Sequence, residues 1–360
     1  MGSNYATNEF SAVKLSVLDL VPVRDDQSTS DAIAASLSLA KLADRIGYQR
    51  YWVAEHHNMP ASAATNPPML IAMFAGATER IRVGSGGVLL PNHAPLVIAE
   101  QFAILEAAHP GRIDLGVGRA PGTDPLTSHA LRGGAQGVND QVVRFPQNLD
   151  DVLAMMSTSG LEVTVGGRRQ ALHATSNAAS VPPIWLLGAS EPSARLAARK
   201  GMPYVFAHHF GSGGTAETLH LYRSTFQPSP QLAEPRTLLP VHASVAETYD
   251  EAYRAALPWL LVMLGLTVGQ PQARVRSVEQ AEKVRLSPRH QAILDEMARQ
   301  WVIGAPDEAW ARIEELAAKY AVDEVMIHPV AGAHEAESPR TSHGREQTLR
   351  LLARRAGQPS

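Results

Sequence analysis

The 360-residue sequence contains no cysteine. Disulfides, thiolate metal centres and cysteine nucleophiles are therefore excluded, and thiol usage says nothing about the redox compartment. No apolar run approaches the roughly 20 residues needed to cross a bilayer. Residues 1–12 are polar and lack the basic-then-apolar build of a signal peptide. Net charge is also small: 32 Lys and Arg stand against 35 Asp and Glu, so neither nucleic acid nor an anionic membrane is expected as a partner. No linker, short tandem repeat or low-complexity tract interrupts the chain. One domain is expected over residues 13–360, with residues 1–12 as a disordered or tag-like lead and the cytoplasm as the default location.

What is present is an alternation of short apolar, β-branched runs with helical stretches. Strands are expected at residues 15–20 (LSVLDL), 51–54, 81–83, 88–90, 113–117, 184–187, 203–207, 239–245 and 324–327. Helices are expected at 31–46, 68–77, 95–107, 193–200 and 307–320, several closed by glycine. Such alternation implies a parallel sheet with right-handed crossovers, either a barrel or a doubly wound sheet. Residues 118–143 read as a long loop after a strand, and residues 267–288 as an excursion or lid. In a barrel, long loops after strands build the active-site face.

Four clusters carry candidate chemistry. Glu55-His56-His57 follows the second strand, where period-two geometry sends neighbouring side chains to opposite sides. An imidazole there suits acid–base work; a pair of satisfied polar residues is the competing reading. A second pair, His208-His209, raises the question of a metal, but adjacent histidines chelate poorly on a strand, and none is expected. Gly84-Ser85-Gly86-Gly87 interrupts a strand-like run, either for close backbone approach by a planar ligand or as a bulge. Arg119, at the end of the run Gly116-Val117-Gly118-Arg119, offers phosphate geometry, with a surface arginine as the alternative. Gly188-Ala189-Ser190-Glu191-Pro192-Ser193 opens a helix. It is an ordinary cap or, together with Arg119, an anion site.

Taken in order, these segments resemble the bacterial luciferase-like flavin-dependent monooxygenases. The match runs through Glu55-His56-His57, Gly86-Gly87-Val88-Leu89-Leu90-Pro91, the segment 111–119 (GRIDLGVGR), Gly188-Ala189-Ser190, Val302-Ile303-Gly304-Ala305-Pro306 and the segment 322–327 (VDEVMI). It spans roughly residues 15 to 352. The resemblance implies a (β/α)8 TIM barrel with insertion loops at the C-terminal face of the strands. It implies an enzyme that takes reduced FMN from a separate flavin reductase and, through a C4a-peroxyflavin, oxygenates a small organic substrate with O2. Hydroxylation or epoxidation in natural-product tailoring is one such reaction. By the same resemblance His56 is the catalytic histidine. Arg119, Ser190 and Ser193, helped by the Ala189 amide, contact the phosphate. Gly86 and Gly87 form a cis peptide under the ring, and His208 or His209 sits near the ring edge, with His208 preferred. A homodimer through the helices after the second and third strands is also implied. An F420-dependent dehydrogenase, or a non-catalytic flavin-binding protein, remains open on the same barrel.

Overall fold

Strands buried on both faces need cover on both sides, which a parallel sheet wrapped in helices supplies. In β1 (Lys14–Asp19) every residue after Lys14 is buried, and in β2 (Arg50–Val53) all four are. The structure, a computed structural model, describes residues 13–120, 124–132, 135–211, 213–270 and 273–358. The expected N-terminal lead lies outside them. The remaining strands are β3 (Arg82–Ser85), β4 (Val88–Leu89), β5 (Ile113–Gly118), β6 (Leu161–Val165), β7 (Arg168–Leu172), β8 (Ile184–Gly188), β9 (Tyr204–Phe206), β10 (Thr237–Val245), β11 (Val302–Gly304) and β12 (Glu324–Pro329).

All pairings in the main sheet are parallel. β1 bonds to β2, β2 to β3, β3 and then β4 to β5, β5 to β8, β8 to β9, β9 to β10, β10 to β12, and β12 back to β1. Among the described residues this closes an eight-stranded barrel of β1, β2, β3, β5, β8, β9, β10 and β12. β11 lies off the circuit against the end of β10. β6 and β7 form a separate antiparallel hairpin.

Helices wrap the outside: α1 (Thr29–Arg45), α2 (Pro67–Gly76), α3 (Pro95–Ala108), α4 (Pro125–Arg132), α5 (Ala135–Met156), α6 (Glu191–Arg199) and α7 (Thr215–Ser224). They continue with α8 (Tyr249–Thr267), α9 (Val278–Glu282), α10 (Pro288–Gln300), α11 (Pro306–Tyr320) and α12 (His343–Arg355). The starts follow sequence chemistry. Ser28 with Asp31, and Thr248 with Glu251, make reciprocal capping boxes. Pro95 and Pro306 occupy first-turn positions where no amide is missed.

Two expectations change. Residues 118–143 are not one long loop, because α4 and the start of α5 lie within them. Asp124 caps α4, its carboxylate accepting from the Leu126 and Thr127 amides at 2.9 and 3.1 Å. α5 then buries Phe145, Leu149 and Val152 completely. Residues 267–288 are likewise punctuated by structure: α8 runs to Thr267, and Ser277 caps the short α9.

The barrel interior is layered. At the N-terminal ends of the strands, Arg50 donates to Asp114 at 2.6 Å and to Glu324 at 2.8 Å. Arg82 adds two bonds to Asp114, at 3.0 and 2.6 Å. Ser16 donates to Glu324 at 2.6 Å. Two guanidinium groups thus face two carboxylates, and the side chain of Asp114 is fully buried. Trp52 donates its indole N–H to Asp114 at 3.0 Å and packs edge-on against Trp185. The two indoles roof the charged floor. Above them the strands turn apolar with Leu18, Leu187, Val205 and Met326. Breaking a buried ion pair leaves its partner uncompensated. Asp114→Ala is therefore expected to cost about 3–5 kcal/mol of unfolding free energy, measured by urea denaturation; a loss below about 1 kcal/mol would contradict a floor held by charge pairing.

Candidate active site

A cavity of about 380 Å3 opens above the tryptophan layer, at the C-terminal ends of the strands. Leu18, Leu20, Ala54, Val205, Pro240 and Met326 give it apolar walls. Gly86, Gly87, Arg119, Ala189, Ser190, Ser193 and His56 all line it as well. The strand ends are where this architecture offers side chains to a ligand.

Pairing of β5 with β8 creates the charged end. Gly118 lies opposite Leu187, so the residues just beyond, Arg119 and the Gly188-Ala189-Ser190 turn, emerge side by side. Ser190 is the cap position of α6, yet its side chain makes no capping hydrogen bond. Ser193 Oγ turns back to the Ser190 carbonyl at 2.6 Å and lies 3.2 Å from the Tyr204 hydroxyl. Ser193 therefore braces the turn at the start of α6. Arg119 is half-buried and forms no ion pair among the described residues. A guanidinium beside a helix N-terminus forms a ready anion site.

The Gly86–Gly87 peptide is cis. Glycine is required here by close backbone packing: a β-carbon on Gly87 would sit 2.8 Å from the Gly116 carbonyl oxygen. Ser85 ties the same place together, its hydroxyl donating to the Gly116 carbonyl at 2.8 Å.

His56 leaves β2 with its backbone amide donating to Ala64 at 2.8 Å. Its Nδ1 is buried without a hydrogen-bond partner. Burial lowers its pKa below the ordinary histidine value, opposed by the Glu55 charge. The ring is therefore neutral at neutral pH and able to donate from one nitrogen and accept at the other.

Glu55 holds this region in place. One carboxylate oxygen accepts from His57 Nε2 at 2.7 Å and His93 Nε2 at 2.8 Å; the other accepts from the Leu89 amide at 2.9 Å. Asn92, beside His93, receives Arg132 of α4 at 2.7 Å. Although burial opposes it, this donor set lowers the Glu55 pKa to about 2. Glu55, His57 and His93 bring potential metal ligands within 4.8 Å of one another. Both imidazoles, however, spend Nε2 on the same carboxylate oxygen, so the cluster is closed by its own hydrogen bonds.

His208, unlike the other expected site residues, does not line the cavity. It is buried away from the cavity, its Nδ1 2.9 Å from Thr215 Oγ1 and its ring edge-on to Tyr320. His209 takes its place in the cavity wall. Both follow β9 in a short 3-10 turn, Ala207 being its cap. Glu55, His93 and the histidines 242 and 328 carried no assigned role in the sequence reading. Their significance depends on contacts between residues far apart in the chain.

Comparisons with known proteins agree with this geometry. A sequence profile described as luciferase-like monooxygenase matches residues 13–324. The uncharacterized protein YvbT of Bacillus subtilis is 39% identical over 91% of this chain and 95% of its own. A luciferase-like monooxygenase of Escherichia coli is 42% identical over 67% of this chain and 69% of its own. The crystal structure of apo-MsnO8 superposes with a TM-score of 0.81 at 34% identity, covering 95% of this chain and 98% of that one.

The depressed pKa of Glu55 sets an acid-stability window. The folded carboxyl lies below its ordinary value of 4.5, so its contribution is present above that value and is lost as pH falls towards about 2. In Glu55→Gln the Leu89 amide loses a charged acceptor, costing about 2 kcal/mol at neutral pH. Melting temperatures of both proteins should converge as pH falls through this window. A constant gap would mean that the ionised carboxylate contributes nothing.

Proposed function

Because the chain belongs to the luciferase-like monooxygenase family, we propose that it is an FMN-dependent monooxygenase. It takes reduced FMN from a separate reductase and uses O2 to oxygenate a small organic molecule. The observation that carries this reading is the two-ended cavity. Arg119 and the α6 N-terminus form an anion site at one end, and apolar walls with a buried, unpartnered His56 Nδ1 form the other. Those residues fit a phosphate-bearing planar cofactor. Arg119, the Ser190 hydroxyl and the α6 amides would hold the phosphate, while Leu18, Val205 and Met326 would flank the ring.

Bound reduced FMN would supply the two electrons that activate O2, one oxygen going to the substrate and the other leaving as water. The chain's own part is positioning and protection. Its apolar walls keep bulk water from the reacting atoms. His56, neutral and buried, donates a hydrogen bond or moves a proton at one ring nitrogen.

A homodimer belongs to the same proposal. Met69 and Met73 on α2 are 67% and 46% exposed, and Val97 and Ile104 on α3 are 45% and 63% exposed. The two helices pack side by side. Residues four or seven apart lie on one helix face, so these four side chains form an apolar surface suited to a second copy.

Oxygen uptake and product formation with reduced FMN, run against a panel of small organic molecules, test the activity. His56→Ala is expected to lower oxygenation on the order of 10²-fold with FMN affinity unchanged. Arg119→Ala is expected to weaken FMN binding about tenfold, one charge-assisted contact being lost. If reduced FMN reoxidises with the protein just as it does free, and no substrate is oxygenated, the reading fails and F420-dependent hydride transfer becomes the next test. For assembly, Ile104→Glu should convert a dimer to a monomer by light scattering. A wild-type monomer would remove that part of the proposal.

A further inference from the structure

Three largely buried histidines lead away from the cavity: His209 after β9, His242 on β10 and His328 on β12. The rings of His209 and His242 meet edge to face, with centroids 5.5 Å apart. His242 Nδ1 lies 2.8 Å from His328 Nδ1. One of these nitrogens must donate and the other accept, so the two rings hold complementary tautomers.

Small cavities of mixed polarity lie at both ends of this series. One of about 60 Å3 touches His208, His209, His242, Thr267 and Gln300. Another of about 30 Å3 touches His328, Trp259, Arg24, Gln27 and Arg345. Residues at both places keep buried polar atoms without a hydrogen-bond partner: His209 Nδ1 and His242 Nε2 at the first, Trp259 Nε1 at the second. The His209 backbone acts on His242 as a hydrogen-bonding group that favours its protonated form, although no bond of full hydrogen-bond geometry reaches Nε2 among the described residues. Unpaired buried polar atoms gathered beside small cavities are what ordered water satisfies.

We propose that His209, His242 and His328, joined by ordered water, form a proton relay between the main cavity and the small pocket beside Trp259 and Arg345. In one passage His328 accepts a proton at Nε2 and passes its Nδ1 proton to His242 Nδ1. His242 releases its Nε2 proton to water beside His209, and His209 delivers one to the cavity. Each ring gains one proton and loses one, and no electrons move. Burial keeps the rings neutral at rest, pushing His209 down to about 3 and His242 and His328 well below the ordinary value. A neutral imidazole both accepts and donates, as a relay requires. The purpose of the relay rests on the monooxygenase reading, in which water forms inside the cavity; its geometry does not.

The test begins with the cofactor-free protein labelled with 15N-histidine. NMR should show one proton coupled to the Nδ1 atoms of both His242 and His328, with both rings neutral from about pH 6 to 8. Exchange of the His209 ring proton with solvent should slow on the order of tenfold in His328→Phe and in His328→Gln. The glutamine variant keeps a polar side chain, which guards against a folding defect in the first. Absence of the shared proton, or His209 exchange equal to wild type in both variants, overturns the relay. In the loaded enzyme His328→Gln should lower kcat on the order of tenfold with KM unchanged. Wild-type protein without turnover but with the expected NMR pattern would sink the monooxygenase reading and leave the relay standing. Turnover without that pattern would do the reverse.

Discussion

A charge-balanced plug closes the bottom of the barrel, and the layers above it rest on that plug. Arg50, Arg82, Asp114 and Glu324 come from β2, β3, β5 and β12, so one network ties together strands from both ends of the chain. Burying Arg50, Asp114 and Glu324 beside the part-exposed Arg82 is tolerable only because each finds a partner at hydrogen-bonding distance. Trp52 reports to the same carboxylate through its indole N–H and then meets Trp185. The indole pair is consequently held at a fixed height, and Trp52 of that pair lines the cavity above. A shift in the ion network would tilt that pair and alter the space available above it.

The mouth obeys a second constraint, set by one carboxylate. Glu55 joins the end of β2 to the turn after β4 and, through Asn92 and Arg132, to α4. His56 is covalently next to this anchor, so its backbone position is fixed while its ring is left to the cavity. The polar capacity of Glu55 is used up within the protein. Arg119 does not share that fate: it lines the cavity and forms no ion pair among the described residues.

Much of this was legible before the structure, because strand and helix periods differ and the strand runs are short and bounded by glycine. The alternation alone left a barrel and a doubly wound sheet both open; the family resemblance supplied the barrel, and the β12–β1 pairing closes it. His56, Arg119 and Ser190 could be located because each lies within a residue or three of a strand end. α4 was missed although Asp124-Pro125 is a recognisable helix start; the surrounding glycines and prolines outweighed it. Choosing between His208 and His209 was beyond local reasoning. In a 3-10 turn successive side chains point about 120° apart, and which one faces inward depends on Thr215 and Tyr320. Glu55 and His93 are 38 positions apart, and nothing in either segment names the other. The same is true of His242 and His328, 86 positions apart.

The cavity is asymmetric in a way that bears on traffic through it. Its cation and helix N-terminus lie together past the ends of β5 and β8, while β1, β9 and β12 contribute hydrocarbon and a thioether. A guest that satisfies both ends must itself be an amphiphile, with an anionic head and a flat, oily body. Such a molecule can seat in only one direction, because reversal would bury its charge against Leu18 and Met326 and leave Arg119 facing hydrocarbon. The barrel thus behaves like half of a micelle with a single berth. Insertion direction is settled by solvation before any contact specific to the guest is made.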